Sequence, residues 1–236
     1  MKRLNTEEKS RYRKLIGLEE MGETAQLGLK NSSALVIGAG GLGSGLLPVL
    51  CSSGIDSIAV VDSDTVVSSN LQRQTLYTPD QVGIKKIEAA REKLIKHNPS
   101  LQLESYDLRL DPSNARELIS NFDVVADCTD NFESRYLIND TCAQLRIPLV
   151  YGSVSDYRGQ VMVLHHEKKA DLRDLYPQMP ENKGNTKGVL PTLPHIIGAI
   201  QANEMLKMLT GKGHLLDGKL LIFDAYSNDI QIIHLK

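Results

Sequence analysis

Three charged residues in this sequence could act together on a phosphoryl group. Arg73 presents a planar set of hydrogen-bond donors, and Lys86 presents a compact ammonium. Such a pair neutralises the charge on a phosphoryl group while its bonds change. Asp130 follows a short apolar segment, and a carboxylate at the carboxyl end of a strand is suited to bind Mg²⁺. These residue types predict chemistry on a nucleoside triphosphate that is bound with magnesium.

A glycine-rich segment predicts where the nucleotide binds. Gly38, Gly40 and Gly43 fit the pattern G-x-G-x-x-G directly after the apolar residues 34–37, so bare backbone can approach a phosphate at a helix N-terminus. Asp62 follows at about the 20-residue distance at which a carboxylate binds ribose hydroxyls, an arrangement that fits NAD and ATP equally well. The predicted nucleotide-binding residues are Gly38, Gly40, Gly41, Gly43, Asp62, Asp64, Ser69, Asn70, Arg73, Gln74, Lys86, Asp130 and Asn131.

Each of these features also has a purely structural interpretation. The glycine turn could serve only close packing of a helix on a strand, and Asp130 with Asn131 could form a turn and a helix cap. Lys86 alone could be a solvated helix residue, and Arg73 alone could pair with a surface carboxylate. Their joint occurrence at the strand ends of one nucleotide-binding fold favours a phosphate site. Hydride transfer needs no such cations, which weighs against a nicotinamide enzyme.

The elements that position these residues follow from hydrophobic periodicity and from glycine, proline and capping residues. We expect an α/β fold: a Rossmann-like, doubly wound, mainly parallel sheet extended by C-terminal antiparallel strands. Residues 1–236 would form a single domain, with a helical arm over 1–30 and a long polar loop over 177–191. The predicted helices cover residues 7–18 after a Thr6 cap, 23–29, 42–53, 85–97, the segment up to 146 after an Asn131 cap, and 194–209. The predicted strands cover 34–37, 57–61, 101–106, 123–126, 149–151, 160–165, 219–223 and 230–234.

Length and composition narrow the class of protein. With 236 residues, of which 41% are hydrophobic and 24% charged, the chain is long enough for one α/β domain with a sizeable core. A net charge of −2 and the lack of a basic run with aromatic residues argue against a nucleic-acid partner. No stretch reaches the roughly 18 apolar residues of a membrane helix, so we expect a cytoplasmic protein without a membrane partner.

Cysteine usage agrees with a reducing compartment. Cys51, Cys128 and Cys142 show neither a Cys-x-x-Cys pair nor a disulfide pattern. Each lies in an apolar segment, which predicts a buried, unreactive side chain rather than a nucleophile. The site also lacks a Ser-His or Cys-His pair, so it does not require an activated side-chain nucleophile.

The sequence resembles the ThiF/MoeB/HesA family, bacterial relatives of the ubiquitin-activating enzymes, over residues 11–236. The resemblance rests on the motifs GAGGLG, DSDTVVSSNLQRQ, GIKK, DCTDNFESRYLIND and GVLPTLPHIIGAIQANEMLKMLTG. It implies an adenylyltransferase that uses ATP and Mg²⁺. The C-terminal Gly-Gly carboxylate of a ubiquitin-like sulfur-carrier protein, similar to ThiS or MoaD, would attack the α-phosphate of ATP and release pyrophosphate.

The same resemblance implies a role for individual residues. Asp62 would bind the ribose, and Asp130 would hold the magnesium. Asn70, Arg73 and Lys86 would bind the phosphates. The expected catalytic residues are Arg73, Lys86, Asp130 and Lys14.

Three departures from the family pattern change these expectations. Members often bind structural zinc through two Cys-x-x-Cys pairs; Asp171 and Asp174 replace the first, and the chain reaches Lys236 without the second, so we expect no zinc site. Many members carry a cysteine in the crossover loop, whereas residues 183–189 read KGNTKGV, so we expect no covalent carrier intermediate. In the expected homodimer, the arginine that reaches the partner's ATP is replaced by Lys14, which keeps the charge and loses the planar donors.

Two alternatives remain open on the sequence alone. A weakened relative could bind a carrier without activating it, because Lys14 and the loop without cysteine depart from the pattern. An NAD-linked oxidoreductase would use the glycine turn and Asp62, and nucleotide binding would distinguish it. The sequence also does not identify the carrier, the sulfur donor or the pathway, which could be synthesis of thiamine, of the molybdenum cofactor or of another sulfur compound.

Overall fold

One mixed sheet runs through the protein. A computed structural model describes residues 3–168, 170–180 and 188–235. The strands within these ranges are β1 (Ser33–Ile37), β2 (Ser57–Val61), β3 (Gln102–Tyr106), β4 (Val124–Asp127), β5 (Leu149–Ser155), β6 (Arg158–Leu164), β7 (Lys219–Asp224) and β8 (Asp229–His234). They lie in the order β3-β2-β1-β4-β5-β6-β7-β8; pairing is parallel from β3 to β5 and antiparallel from β5 to β8. The predicted fold class is confirmed.

Helices cover both faces of this sheet. In the described residues they are α1 (Thr6–Arg11), α2 (Arg13–Ile16), α3 (Gly22–Lys30), α4 (Gly41–Ser53), α5 (Lys86–His97), α6 (Ala115–Ile119), α7 (Phe132–Leu145), α8 (Leu172–Leu175) and α9 (Thr192–Thr210). β1, β2 and β4 are buried over almost their full length, as expected for parallel strands covered on both faces. α4, α5 and α9 share an apolar core with one face, and α6 and α7 with the other.

Two helices on the first face cross at very short range. A Cβ atom added at Gly198 of α9 would stand 2.4 Å from the carbonyl oxygen of Leu42 in α4. A Cβ atom at Gly45 of α4 would stand 2.7 Å from the Cα atom of His195. No side chain fits at either position, so glycine is what lets α9 pack directly behind the helix that follows the glycine turn.

The N-terminal helices differ in their limits from the sequence prediction. The predicted helix over 7–18 is two helices, α1 and α2, separated at Tyr12. The cap is Asn5 and not Thr6: the Asn5 side chain accepts the Glu8 N–H at 2.8 Å, and the Glu8 carboxylate accepts the Asn5 N–H at 2.7 Å. The sequence does not predict α6 and α8, because helices of 5 and 4 residues show no resolvable periodicity.

The antiparallel part of the sheet is longer than predicted. β5 continues to Ser155 instead of ending at Tyr151, because its second half pairs with β6. The predicted loop over 177–191 includes residues 181–187, which lie outside the described residues. After this gap, the chain returns to the turn between β5 and β6: the Asp156 N–H donates to the Gly188 carbonyl at 3.0 Å. Within the described ranges, no helix has both the length and the apolar character required to cross a membrane.

Candidate nucleotide site

The glycine turn between β1 and α4 brings backbone, without side chains, to the carboxyl ends of the strands. Gly38 has φ +103°, and a Cβ atom there would stand 2.6 Å from the Cys128 carbonyl oxygen. A Cβ atom at Gly43 would stand 2.5 Å from the Gly38 carbonyl oxygen. α4 begins after Gly40 without a side-chain cap. Its first N–H groups are therefore oriented to receive an anionic group such as a phosphate.

The carboxylate of Asp62 joins the end of β2 to this turn. One oxygen accepts the Ala39 N–H and the other accepts the Asp64 N–H, each at 2.8 Å. An ionised carboxylate offers about four acceptor positions, so two remain for ribose hydroxyls. The buried Tyr77 hydroxyl donates to the Ala39 carbonyl at 2.6 Å. Burial, with added repulsion from Asp62 and Asp64, raises the pKa of Tyr77, so the phenol stays a neutral donor.

Lys86 is a buried cation at the start of α5. Its side chain is 4% exposed, and its ammonium lies 2.7 Å from a carboxylate oxygen of Asp64, whose side chain is 68% exposed. The Lys86 N–H also donates to the Asp64 carbonyl at 3.0 Å. Asp64, predicted to bind nucleotide, is thus the ion-pair partner of Lys86. An ion pair with a solvated carboxylate contributes little to stability, so replacing Asp64 by a phosphate as the partner of Lys86 would cost little free energy.

The segment that contains Arg73 lies against the same turn. The Arg73 guanidinium donates to the Asn70 side-chain oxygen at 3.1 Å and to the Ser69 carbonyl at 3.4 Å. Gln74 is buried, its amide nitrogen would lie 3.4 Å from a Cβ atom at Gly40, and its amide oxygen has no hydrogen-bond partner among the described residues. The structure therefore brings Gln74 and the backbone of Arg73, whose carbonyl oxygen would lie 3.7 Å from a Cβ atom at Gly41, to the glycine turn. Ser69 and Asn70 bind the Arg73 guanidinium.

Asp130 and Asn131 follow β4 on the other side of the turn. Asp130 is exposed. An exposed carboxylate at a strand end suits Mg²⁺, which keeps several of its waters and uses one or two carboxylates. The Asn131 side-chain oxygen accepts the Ser134 N–H at 2.9 Å and caps α7. Its observed role is thus the helix cap.

Sequence reasoning did not identify the buried polar residues behind Asp130. Asp127, at the end of β4, is fully buried and accepts hydrogen bonds from Thr129. Burial raises the pKa of Asp127, which the Arg135 charge opposes. The available signal was an acidic residue at the end of an otherwise apolar strand, because such a residue requires a buried partner.

Lys14 does not lie at this site in its own chain. The neighbouring Tyr12 ring packs on Gly54, where a Cβ atom would stand 2.8 Å from the ring, and Arg11 donates to the His97 carbonyl at 2.9 Å. Gly54 and His97 lie at the C-terminal ends of α4 and α5. α4 has 13 residues and spans about 20 Å, so Lys14 stands at the opposite end of that helix from the glycine turn.

The cysteines are buried and free, as predicted. Burial raises the pKa of Cys51 to about 11, and it also raises the pKa of the Cys128 and Cys142 thiols. Thiols of this kind do not ionise near neutral pH and are poor nucleophiles.

The two aspartates at the family's first zinc-ligand positions serve a different purpose. The Asp171 side chain accepts the Arg173 N–H at 2.8 Å, and the Asp174 side chain accepts the Asp171 N–H at 2.8 Å. They form a capping box for α8. Hard oxygen atoms engaged in this way do not fit a structural zinc ion, which prefers thiolate and imidazole.

The sheet is doubly wound, and the glycine turn and the acidic end of β2 lie at the edge where folds of the Rossmann-like class bind nucleotides. The chain belongs to the ThiF family, whose model matches residues 12–236. Over 238 residues it is 40% identical to the adenylyltransferase and sulfurtransferase MOCS3 of Drosophila virilis, covering 99% of this chain and 53% of that protein. It thus spans about half the length of several curated relatives that it matches.

Two shorter relatives are covered more fully. The chain is 40% identical over 232 residues to the sulfur carrier protein adenylyltransferase of Thermus thermophilus, covering 94% of this chain and 86% of the relative. It is 40% identical over 227 residues to the SAMP-activating enzyme E1 of Haloferax volcanii, covering 94% and 83%. The crystal structure of PaaA shares the fold, with a TM-score of 0.84, 22% identity and coverage of 100% of this chain and 76% of PaaA.

Proposed function

We propose that this protein is an ATP-dependent adenylyltransferase that activates the C-terminal Gly-Gly carboxylate of a ubiquitin-like sulfur-carrier protein. Relatives at 40% identity are named as a sulfur carrier protein adenylyltransferase and a SAMP-activating enzyme E1. The observation that carries the proposal is the buried Lys86 ammonium, which faces a solvated carboxylate beside the glycine turn. Residues 1–236 would act as one adenylation domain. Cytoplasmic localisation is proposed because the cysteines are free and buried, which suits a reducing compartment.

The proposed reaction needs positive charge more than it needs a base. A carboxylate oxygen of the carrier forms a bond to the α-phosphorus of ATP while the bond to pyrophosphate breaks. The carboxylate is already ionised at neutral pH, so no protein base must remove a proton. Two anions approach each other only when their charges are screened, and Arg73 with Lys86 would screen them at preorganised positions. Asp62 would orient the ribose.

Asp130 would hold Mg²⁺ on the triphosphate. When bound, the ion neutralises charge on the phosphate oxygens. The carboxylate fits this role because it is exposed on the loop after β4, whose backbone contacts the glycine turn at Cys128. The protein therefore contributes one carboxylate ligand at a fixed position.

Lys14 would complete the site of a second subunit. Its helix packs near Gly54, at the far end of α4, and this separation exceeds the length of a lysine side chain. A cation on such an arm can reach a phosphate only in another copy of the chain. We therefore propose a homodimer in which each arm supplies Lys14 to its partner.

The body of the carrier would bind the antiparallel part of the sheet. Val161 of β6 pairs with Leu221 of β7, which pairs with Ile232 of β8, so a single apolar row continues from the core to the edge strand. Ile232 is 52% exposed, and Ile230 on the same face is 62% exposed. β5 links this surface to the site, since it pairs with β4 at one end and with β6 along its length. A protein substrate could thus contact both.

Exchange of labelled pyrophosphate into ATP tests the proposal. We expect exchange only with a carrier that ends in Gly-Gly, and none with the same carrier lacking its last glycine. Carrier binding without exchange would instead favour the weakened, non-catalytic relative. An NAD-linked enzyme would leave Arg73, Lys86 and Asp130 without a role, and binding of NAD in preference to ATP would support it.

A further inference from the structure

Residues 128–131 form the loop that connects β4 to α7 and carries Asp130. Its backbone adjoins the glycine turn: the Cys128 N–H donates to the Ile37 carbonyl at 2.8 Å, and the Cys128 carbonyl fills the space that a Cβ atom on Gly38 would need. A shift of this loop would move Asp130 relative to the phosphate-binding backbone. Its position therefore matters for any ligand that contacts both.

Asp127 fixes the loop through Thr129. One oxygen of the buried Asp127 carboxylate accepts both the Thr129 N–H at 2.9 Å and the Thr129 hydroxyl at 2.6 Å. The other oxygen has no hydrogen-bond partner among the described residues. A buried carboxylate is costly, and here its hydrogen bonds hold the residue that directly precedes Asp130.

Arg135 holds the same residue from the first turns of α7. It is 7% exposed, and its guanidinium donates to the Thr129 carbonyl at 3.1 Å. The guanidinium also lies over the rings of Phe132 and Tyr151, at 5.1 and 5.6 Å from their centroids. This packing restricts the side chain to one geometry. Thr129 is thus bound through its N–H, its hydroxyl and its carbonyl.

Gln201 of α9 fixes the start of the loop. Its amide nitrogen donates to the Asp127 carbonyl at 2.8 Å and to the Val150 carbonyl at 3.2 Å. A Cβ atom at Gly152 would lie 2.3 Å from the Gln201 amide carbon, so glycine is required for the side chain to reach these carbonyls. Side chains from β4, α7 and α9 therefore hold the backbone at Asp127 and at Thr129.

We propose that Asp127, Thr129 and Arg135 are positioning residues for Asp130. Asp127 and Arg135 fix Thr129, and Thr129 directly precedes Asp130, the proposed Mg²⁺ ligand. The inference rests on the proposed function. It predicts a particular defect: a loosened Thr129 raises the Mg²⁺ requirement and leaves the affinity for the carrier unchanged, because the carrier surface proposed above lies on the antiparallel strands.

The experiment compares Thr129→Val with Thr129→Ser, since valine removes only the hydroxyl donor whereas serine keeps it. Thr141→Val is the matched control, because Thr141 is a buried threonine of α7, away from the loop, whose hydroxyl donates to the Leu137 carbonyl at 2.7 Å. The Mg²⁺ dependence of pyrophosphate exchange is measured, together with hydrogen exchange of residues 127–131 in the ligand-free protein. We expect Thr129→Val to raise the half-saturating Mg²⁺ concentration roughly tenfold, and Thr129→Ser and Thr141→Val to stay within about twofold of wild type.

Faster hydrogen exchange in this loop, found only in Thr129→Val, would support the inference. An unchanged Mg²⁺ dependence in Thr129→Val, or an equal change in Thr129→Ser, would overturn it. If Thr129→Val does not fold, Arg135→Lys, which keeps the charge and loses the planar donors, must show the same raised Mg²⁺ requirement. If the wild type shows no exchange, the proposed function fails, and calorimetry of ATP binding with and without Mg²⁺ decides the inference: Thr129→Val must lose the Mg²⁺-dependent part of the affinity.

Discussion

The parallel and antiparallel halves of the sheet present different features at their strand ends. In the parallel half the strands run in one direction, so the segments after β1, β2 and β4 meet at one edge. The glycine turn, Asp62 and the loop carrying Asp130 are those segments. In the antiparallel half, successive strand ends point in opposite directions, and its edge strand β8 exposes Ile230 and Ile232 instead.

This difference suits the two halves to the two tasks of the proposed function. Parallel strands gather polar groups from distant parts of the sequence at one place, which suits chemistry on a small charged ligand. Antiparallel strands extend a continuous face toward solvent, which suits contact with a protein. Changes in the first half should therefore alter the rate of adenylation, and changes in the second half should alter carrier binding.

Removal of a charge from the parallel half should have the largest effect. Arg73→Ala, Lys86→Ala and Asp130→Ala should each slow carrier-dependent pyrophosphate exchange by roughly 10²- to 10³-fold, because each removes one preorganised charge. Lys85→Ala is the control: this neighbouring lysine is 37% exposed and pairs with Asp107 at 3.1 Å. Circular dichroism would check folding. Normal exchange in Asp130→Ala would show that the metal assignment is wrong.

Lys14→Ala should also slow exchange, by about 10²-fold, because it removes a cation supplied in trans. An arginine at this position would contribute through its charge and its planar donors, whereas lysine contributes only the charge. Lys14→Arg should be at least as active as wild type. Mixing Lys14→Ala with Asp130→Ala should restore activity in heterodimers, because one of the two sites then has both residues. No recovery, with subunit exchange demonstrated independently, would show that Lys14 does not act in trans and would assign the role to another residue of the arm, such as Arg13.

A change on the edge strand should affect the carrier alone. Ile232→Thr should raise the KM for the carrier by roughly tenfold, since burial of an isoleucine side chain contributes about 1.5 to 3 kcal/mol. Ile233→Thr is the control: it changes the β propensity in the same way, but Ile233 lies on the opposite face of β8. This variant should leave the KM for the carrier unchanged. Steady-state kinetics with varied carrier would measure both. An equal rise in the two variants would mean that the carrier does not bind the face of Ile232.

The ion pair between α7 and α8 should have a smaller effect, confined to stability. The hydrogen bond from Arg173 lowers the pKa of Asp140 despite partial burial. Because the folded-state pKa is the lower one, the stabilisation is complete above the unfolded value of about 3.9 and is lost as pH falls through the folded value. Both side chains are at least 40% exposed, so we expect about 0.2 to 1 kcal/mol.

Denaturant unfolding of wild type and Asp140→Asn would measure this contribution. The difference in unfolding free energy should be present at pH 7 and vanish at strongly acid pH; a difference independent of pH would refute the assignment.

A metal chelator should leave the melting temperature of the wild-type protein unchanged. Asp171 and Asp174, at the positions of zinc ligands in the family, cap α8 instead. Stoichiometric zinc in the purified protein would contradict that expectation.

Replacement of the cysteines should have the smallest effect on activity. Cys128 lies in the parallel half beside the site, yet burial raises its pKa as it does for Cys51 and Cys142, so none of the three supplies a thiolate. The triple alanine variant should keep its exchange rate, with some loss of stability. Non-reducing mass spectrometry with the carrier is the check, and a conjugate released by thiol would overturn the prediction.

Local sequence patterns were sufficient for the fold and for the glycine turn. Hydrophobic periodicity, capping residues and glycines predicted the fold class, the bounds of β2 and the Asn131 cap of α7. These features depend on residues that are close together in the chain. Short helices such as α6 were missed for the same reason, since one turn contains too few residues for a pattern. The cap at Asn5 was missed by one position, because Asn and Thr are both good caps and only backbone geometry distinguishes them.

The sequence by itself determined the residue types of the site: an acidic strand end, two cations and the carboxylate at Asp130. Only the tertiary structure decided that Asp64 pairs with Lys86 and that Asp127 and Arg135 hold Thr129. It alone placed Lys14 at the far end of α4. The physical reason is that hydrogen bonds and ion pairs depend on distances of a few ångströms between segments far apart in the chain, and these distances exist only after the sheet and helices pack.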